Sequence, residues 1–196
     1  MRPEPVILAG RHVRLEPLTP FHADALWEQA RAPELWRWTV SKVRERPDFD
    51  AYLVQAFREA EAGKSLPFAT VELEGGRPIG STRFGNISVH DRRVEIGWTW
   101  VGLPWQRTAA NTEAKLLMLR HAFETWGCVR VELKTSALNT TSRRAIARIG
   151  GVEEGTLRRH TRLDDGTWRD TVYFSILDDE WPAVRDRLEA RLAEPR

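Results

Sequence analysis

The chain has 196 residues, 41% hydrophobic and 30% charged, a composition that excludes disorder and suits one folded domain spanning 1–196. A net charge of +2 gives no general pull towards nucleic acid, although arginine so outnumbers lysine that local basic patches are expected. Cys128 stands alone, which excludes an internal disulfide, and no stretch approaches the roughly 20 apolar residues of a membrane span or the apolar core of a signal peptide, so a soluble, cytoplasmic protein is expected.

Arg11 to Leu18 alternates Val13, Leu15 and Pro17 against charged neighbours, which predicts a first strand. Thr19 and Pro20 open a helix with Phe21, Ala25 and Leu26 on its apolar face, interrupted at Ala32-Pro33. A loop containing LWRWT leads to a second helix, from about Asp50 to Ala62, that Gly63 stops. Three strands follow, Pro67 to Leu73, Pro78 to Val89 and Val94 to Val101, separated by the hairpin punctuation Gly75-Gly76 and His90-Asp91. In the third, alternation puts Ile96, Trp98 and Trp100 on one face and Glu95, Gly97 and Thr99 on the other.

Pro104 breaks the chain, a loop runs from Gln106 to Asn111, and apolar residues then recur at helical spacing from Thr112 to Trp126, with Asn111 or Thr112 as the expected cap. A strand from Val129 to Ala137 and a helix opening at Asn139 come next. The chain closes with a hairpin of Gly155 to Leu163 and Trp168 to Leu177, and a helix with Trp181, Val184 and Leu188 on one face behind Asp178, Asp179 and Glu180. A strand led through a tight loop into a helix start presents unpaired backbone N–H groups and a positive dipole end, which suits a phosphate or pyrophosphate. On that geometry alone a flavin, a nucleotide and coenzyme A all remain open.

The stretch EIGWTWVGLPWQRTAANTEA resembles the acyl-CoA-binding core of the GNAT superfamily of N-acetyltransferases, whose loop reads Gln or Arg, two variable residues, Gly, one variable residue, then Gly or Ala. Gln106 fits the first position, while Ala109 and Asn111 depart from the pattern at its two small-residue positions; Ala still permits close backbone approach, and Asn tolerates the left-handed conformation. Asn139 and Ser142 in NTTSRRAIARIGG match the RimJ/RimL-like branch, which includes the ribosomal-protein-alanine N-acetyltransferases. The resemblance implies an α/β (α+β) GNAT fold: one mixed, mostly antiparallel sheet, splayed at the acyl-CoA site and flanked by helices.

The same resemblance implies an acetyl-CoA-dependent transfer to an amine through a ternary complex. The pantetheine would lie beside the strand at Trp98, Thr99, Trp100 and Val101, whose N–H groups would stabilise the thioester oxyanion. The pyrophosphate would sit on Gln106, Arg107, Thr108, Ala109, Ala110, Asn111 and Thr112, with Arg143 and Arg144 adding charge and Asn139 binding the pantetheine. Glu95, eleven residues ahead of Gln106, would be the general base and Ser142 the acid for the departing thiolate, with His160 a fallback base. Trp36, Trp38 and His160 would border the acceptor, and Arg158, Arg159 and Arg162 would favour acidic or neutral acceptors. The histidines show no metal spacing, so no metal is assigned. The expected acceptor is a protein N-terminal α-amine, the alternatives being a small amine (amino acid, polyamine or antibiotic) or a non-catalytic acyl-CoA-binding or structural domain. A homodimer is the expected assembly.

Overall fold

The computed structural model describes residues 3–194. Eight strands, β1 (Leu8–Ala9), β2 (Val13–Pro17), β3 (Leu66–Glu72), β4 (Pro78–Ser88), β5 (Arg93–Val101), β6 (Arg130–Ser136), β7 (Val152–Arg162) and β8 (Trp168–Leu177), form one sheet in the order β1-β2-β3-β4-β5-β6-β8-β7. Every neighbouring pair is antiparallel except β5 and β6, so the sheet is mixed and mostly antiparallel, as the resemblance implied. Five α-helices cover it: α1 (Ala23–Ala30), α2 (Arg46–Glu61), α3 (Ala109–Arg120), α4 (Thr140–Arg148) and α5 (Trp181–Ala193).

Strand alternation divides the apolar residues between two cores. Val94, Ile96, Val131 and Phe174 pack with Met118 of α3 and Leu188 of α5 on one face. On the other, Ala69, Val71 and Trp100 pack with Leu26 of α1 and Phe49 and Leu53 of α2. The second core covers only the β3–β5 half of the sheet, because α1 and α2 both precede β3. The same face of β6 and β8, carrying Glu132, Lys134, Thr171 and Tyr173, is left for polar chemistry.

Several element boundaries differ from the sequence expectation. A short β1 pairs with β2 ahead of the predicted first strand. The first helix opens as a 3-10 turn over Pro20–His22, in which the Thr19 N–H donates to Nδ1 of His22 at 3.0 Å. That tighter turn carries Phe21 outwards, 98% exposed instead of on the apolar face. Helix α2 starts at Arg46, earlier than Asp50, because Asp48 accepts from the Glu45 N–H at 3.3 Å and Pro47 is tolerated in a first turn. Strand β7 begins at Val152 rather than Gly155.

Candidate active site

The sheet is interrupted in β5. Strand β4 pairs with it at Ser81↔Trp100 and again at Arg83↔Gly97, so Thr82 alone opposes both Trp98 and Thr99. This is a β-bulge, and Trp98 takes up the extra residue at φ +50°. The bulge corrects the predicted alternation: Ile96 points into the core beneath α3, whereas Trp98 and Trp100 pack on the α1–α2 side. Thr99 turns towards α3, its hydroxyl 2.7 Å from that of Thr82. On its other edge β5 pairs with β6 only from Arg93 to Glu95. Beyond Glu95 the two parallel strands part, leaving the β5 backbone from Ile96 to Val101 without β6 partners. An unpaired strand edge of this kind accepts an extended amide chain as an added strand.

The bulge is clamped from β4 and α2. The buried Arg83 guanidinium lies 5.0 Å from the Tyr52 ring centre and 5.1 Å from that of Trp98, and it pairs with Glu59 at 3.1 Å. The Tyr52 hydroxyl donates to the Trp98 carbonyl at 3.4 Å. Gly85 lies under the indole, where a Cβ would come within 2.4 Å of Trp98 Cζ3. Behind the bulge, on the α3 side, the fully buried Lys115 donates to Thr99 Oγ1 at 2.6 Å and Thr82 Oγ1 at 3.1 Å, and burial pushes its pKa down to about 7.

Helix α3 begins at the open end of the splay. Its cap is Thr108, whose hydroxyl accepts from the Ala110 N–H at 3.2 Å and donates to the Trp105 carbonyl at 2.7 Å. The helix therefore starts at Ala109, three residues before Thr112, and Asn111 lies inside its first turn. The residue in left-handed conformation is Arg107, at φ +65°, and not Asn111. The Ala109 and Asn111 N–H groups precede any intrahelical acceptor, and the methyl side chains of Ala109 and Ala110 add little bulk around them. Asn111 Oδ1 is buried without a partner, and Gln106 folds back so that Nε2 donates to the Val101 carbonyl at 3.1 Å. This arrangement of open N–H groups at a positive helix end beside an unpaired strand edge fits a pyrophosphate joined to an extended amide arm.

Asn139 caps α4, accepting from the Ser142 N–H at 3.0 Å, so Ser142 sits part-buried in the first turn. Arg143 instead reaches Glu153 of β7 at 3.0 Å and lines a groove of about 360 Å³ between α4 and β7.

Glu95 is the last residue of β5 paired with β6 and is buried, 7% exposed, on the face opposite α3. Lys134 Nζ approaches its Oε2 at 2.7 Å, and Asn86, itself at φ +47°, donates to the same oxygen. The Lys134 ammonium also lies 4.7 Å from the ring centre of Tyr173, its cross-strand partner. Burial lowers the Lys134 pKa, but Glu95 and Tyr173 together outweigh this and leave it raised. His160, exposed on β7, stands edge-on to Tyr173 at 5.7 Å. Asn86, Lys134 and Tyr173 were not singled out from the sequence; period-two alternation in β6 and β8 gives the faces of Lys134 and Tyr173 but not their approach to Glu95, and Asn86 sits at positive φ on β4, where alternation breaks.

A cavity of about 320 Å³ opens on this side between the loop after α1, the end of β6 and the β7–β8 hairpin, with Arg37, Trp38, Lys42, Asp165, Arg169 and Asp170 among its lining. Trp38 is thus a wall. Trp36 is not: it is 3% exposed, its Nε1 donates to the Ala30 carbonyl at 2.7 Å, and it packs on Tyr52 and Trp100 in the second core. Among the described residues no group of three or more His, Cys, Asp and Glu is placed to hold a metal ion, and no helix is long and apolar enough to cross a membrane.

The acetyltransferase (GNAT) domain family matches residues 12–152, a span that includes the bulge, the splay and both helix starts. The chain belongs to the GNAT acetyltransferase family. This GNAT chain is 32% identical over 114 residues to "Putative ribosomal N-acetyltransferase YdaF" of Bacillus subtilis (strain 168); the match takes in 56% of the chain and spans about three-fifths, 61%, of that relative's length. Among solved structures, a GCN5-related N-acetyltransferase from Brucella melitensis superposes with a TM-score of 0.91 at 33% identity, covering 98% of this chain and 88% of that one. Mycobacterium smegmatis RimJ, solved in complex with CoA-disulfide, superposes with a TM-score of 0.78 at 28% identity, covering 94% and 91%. These relatives support the RimJ/RimL-like branch.

Proposed function

We propose that the protein transfers the acetyl group of acetyl-CoA directly to a primary amine held in the 320 Å³ cavity, with a protein N-terminal α-amine as acceptor. The observation that carries this reading is the juxtaposition of three features: the β5–β6 splay, the free α3 N-terminus at one end of it, and the buried Glu95 at its apex, on the sheet face that β6 and β8 share with the cavity.

Acetyl-CoA supplies an activated acyl carbon and a good leaving group. The α3 amides of Ala109 and Asn111, with Arg107 beside them, hold the pyrophosphate, while the unpaired β5 edge from Trp98 to Val101 pairs with the pantetheine. The bulge turns backbone N–H groups near Trp98 and Thr99 out of the ladder, where they can stabilise the oxyanion formed when the thioester is attacked. Asn139 orders the α4 turn that presents Ser142 to the departing sulfur.

Glu95 takes a proton from the acceptor ammonium, directly or through water, and the neutral amine so formed attacks the thioester carbon. Its Oε2 is held by Lys134 and Asn86, so Oε1 is the oxygen available for this step. An α-amine has a pKa of roughly 7.7 to 8.0 against about 10.4 for a lysine side chain, and so needs less help to become a nucleophile. His160 is the second candidate base, and Trp38 orders the acceptor. A cytoplasmic site of action and a two-fold dimer go with this reading. Incubating the protein and acetyl-CoA with peptides of free and blocked N-terminus, beside lysine, spermidine and aminoglycosides, tests it. Acetylation confined to the small amines would replace the protein acceptor with a metabolite.

A further inference from the structure

The cavity's charged lining residues are two acids, Asp165 and Asp170, and three cations, Arg37, Lys42 and Arg169. Both acids are engaged by their own hairpin. Asp170 Oδ1 accepts from the Arg159 N–H at 2.6 Å, and Asp165 Oδ1 accepts from the N–H and hydroxyl of Thr167 at 3.0 and 2.6 Å. Among the described residues none of the three cations makes an ion pair, although Asp165 lies close enough to Lys42 to act on it through space. Lys42 donates to the carbonyls of Trp36 and Arg37 at 3.3 and 3.0 Å, and Arg37 lies over the Trp38 ring.

Arg169 is the most unusual of the three. It is half-buried, its Nε is shut off from solvent with no hydrogen-bond partner, and no carboxylate among the described residues lies within ion-pair distance. Alternation along β8 puts it on the face of Thr171 and Tyr173, opposite the core face of Val172 and Phe174. The next residue on that face, Thr171, is 2% exposed and its hydroxyl also lacks a partner. Tyr173 then leads to Lys134 and Glu95. Burial pushes the Arg169 pKa down, opposed by Glu95 and Tyr173; burial likewise lowers that of Lys42, with Asp165 opposing and Arg169 reinforcing the shift. A fold rarely retains a half-buried guanidinium and a neighbouring ammonium without an anion between them.

We infer that Arg169 and Lys42 form a carboxylate-binding subsite for the acceptor, so that the preferred amine carries a carboxylate on the same molecule. This rests on the proposed acetyl transfer in the same cavity. The carboxylate could belong to an acidic side chain near a peptide N-terminus or to the α-carboxyl of a free amino acid; a guanidinium reads either as a two-oxygen partner.

The test measures kcat/KM for C-terminally amidated tripeptides with Asp or Asn as second residue, and for free amino acids beside their amides. Wild type, Arg169→Gln and Arg169→Lys are compared, with melting curves to confirm folding. Wild type should favour the carboxylate member of at least one pair by about tenfold, mainly through KM. Arg169→Gln should erase that preference by costing the carboxylate member about tenfold more than the neutral one, and Arg169→Lys should restore part of it. The pair that shows the effect identifies the carboxylate's source. Equal turnover of charged and neutral members by wild type would overturn the subsite, as would an equal loss on both in Arg169→Gln. Equilibrium binding of the same acceptors separates the two levels. Carboxylate-dependent binding that Arg169→Gln abolishes, without acetylation of any amine, would uphold the subsite and sink acetyl transfer; absence of both would sink the subsite.

Discussion

Lys115 offers a test of the interior that does not depend on any ligand. Its ammonium is enclosed between α3 and the bulge, with Thr82 and Thr99 as its partners and Met118 close by, and no carboxylate faces it. Burial alone depresses its folded pKa to about 7, against about 10.4 in the unfolded chain. Below pH 7 both states carry the proton, and the fold bears the whole cost of the buried charge, on the order of 4 kcal/mol. Between pH 7 and 10.4 the unfolded chain holds a proton that the folded one has released, so stability rises with pH through this window. The two threonine hydroxyls already bond each other at 2.7 Å, so Lys115→Met fills the volume without stranding them. In urea titrations the variant should be about 2 to 4 kcal/mol more stable than wild type at pH 7. Wild type should recover roughly 1.5 kcal/mol relative to it by pH 8.5. That upper limit avoids the buried Cys128 thiol, which burial raises to about 11 and which acts in the opposite direction at higher pH. A variant less stable than wild type at pH 7, with an unchanged pH slope, would show that the pocket favours the ammonium and would refute the reasoning.

Three further substitutions address the site. Ala109→Asp places a carboxylate where the helix dipole welcomes it, so the fold should keep its melting temperature while calorimetry finds CoA binding lost; Arg107→Ala should cost only about 1 kcal/mol of affinity. Glu95→Gln keeps the shape and the Asn86 contact but removes the base, and kcat should fall about 10²-fold with its pH profile altered, whereas Ser142→Ala should cost less. Gly85→Ala would drive a methyl into the Trp98 ring, where 2.4 Å is available, and should cost about 1 to 3 kcal/mol in unfolding experiments while raising KM for acetyl-CoA, because the ring is fixed to the bulge.

The mostly antiparallel sheet was implied by the family resemblance, whereas the element order and the helix start at Asn139 were legible in the sequence because each follows from local signals: alternation, helical spacing, and a side-chain oxygen ahead of a helix. The bulge was not. Period-two reading carries its register straight through Trp98, and nothing local in GWTWV marks the extra residue. What holds Trp98 at positive φ is the aromatic and guanidinium clamp of Tyr52 and Arg83 with the space left by Gly85, all distant in sequence. The two tryptophans of LWRWT illustrate the same limit. They are separated by one residue, yet Trp36 bonds the Ala30 carbonyl inside the core while Trp38 lines the cavity, because the 3-10 turn over Pro33–Trp36 turns only the first inwards.

The surroundings of Glu95 depend on the splay itself. Glu95 is still in register with β6, and its lateral neighbour there is another acid, Glu132. Two residues further along, β6 has moved away from β5, and Lys134 reaches back across the gap to Glu95, while Glu132 is taken by Arg130 at 3.0 Å. The strand separation that opens room for an amide chain therefore also lets a cation reach the carboxylate at its apex, beside the like charge of Glu132. Cofactor space and base environment thus arise from one departure from ladder geometry, and neither residue's own position in the sequence announces it.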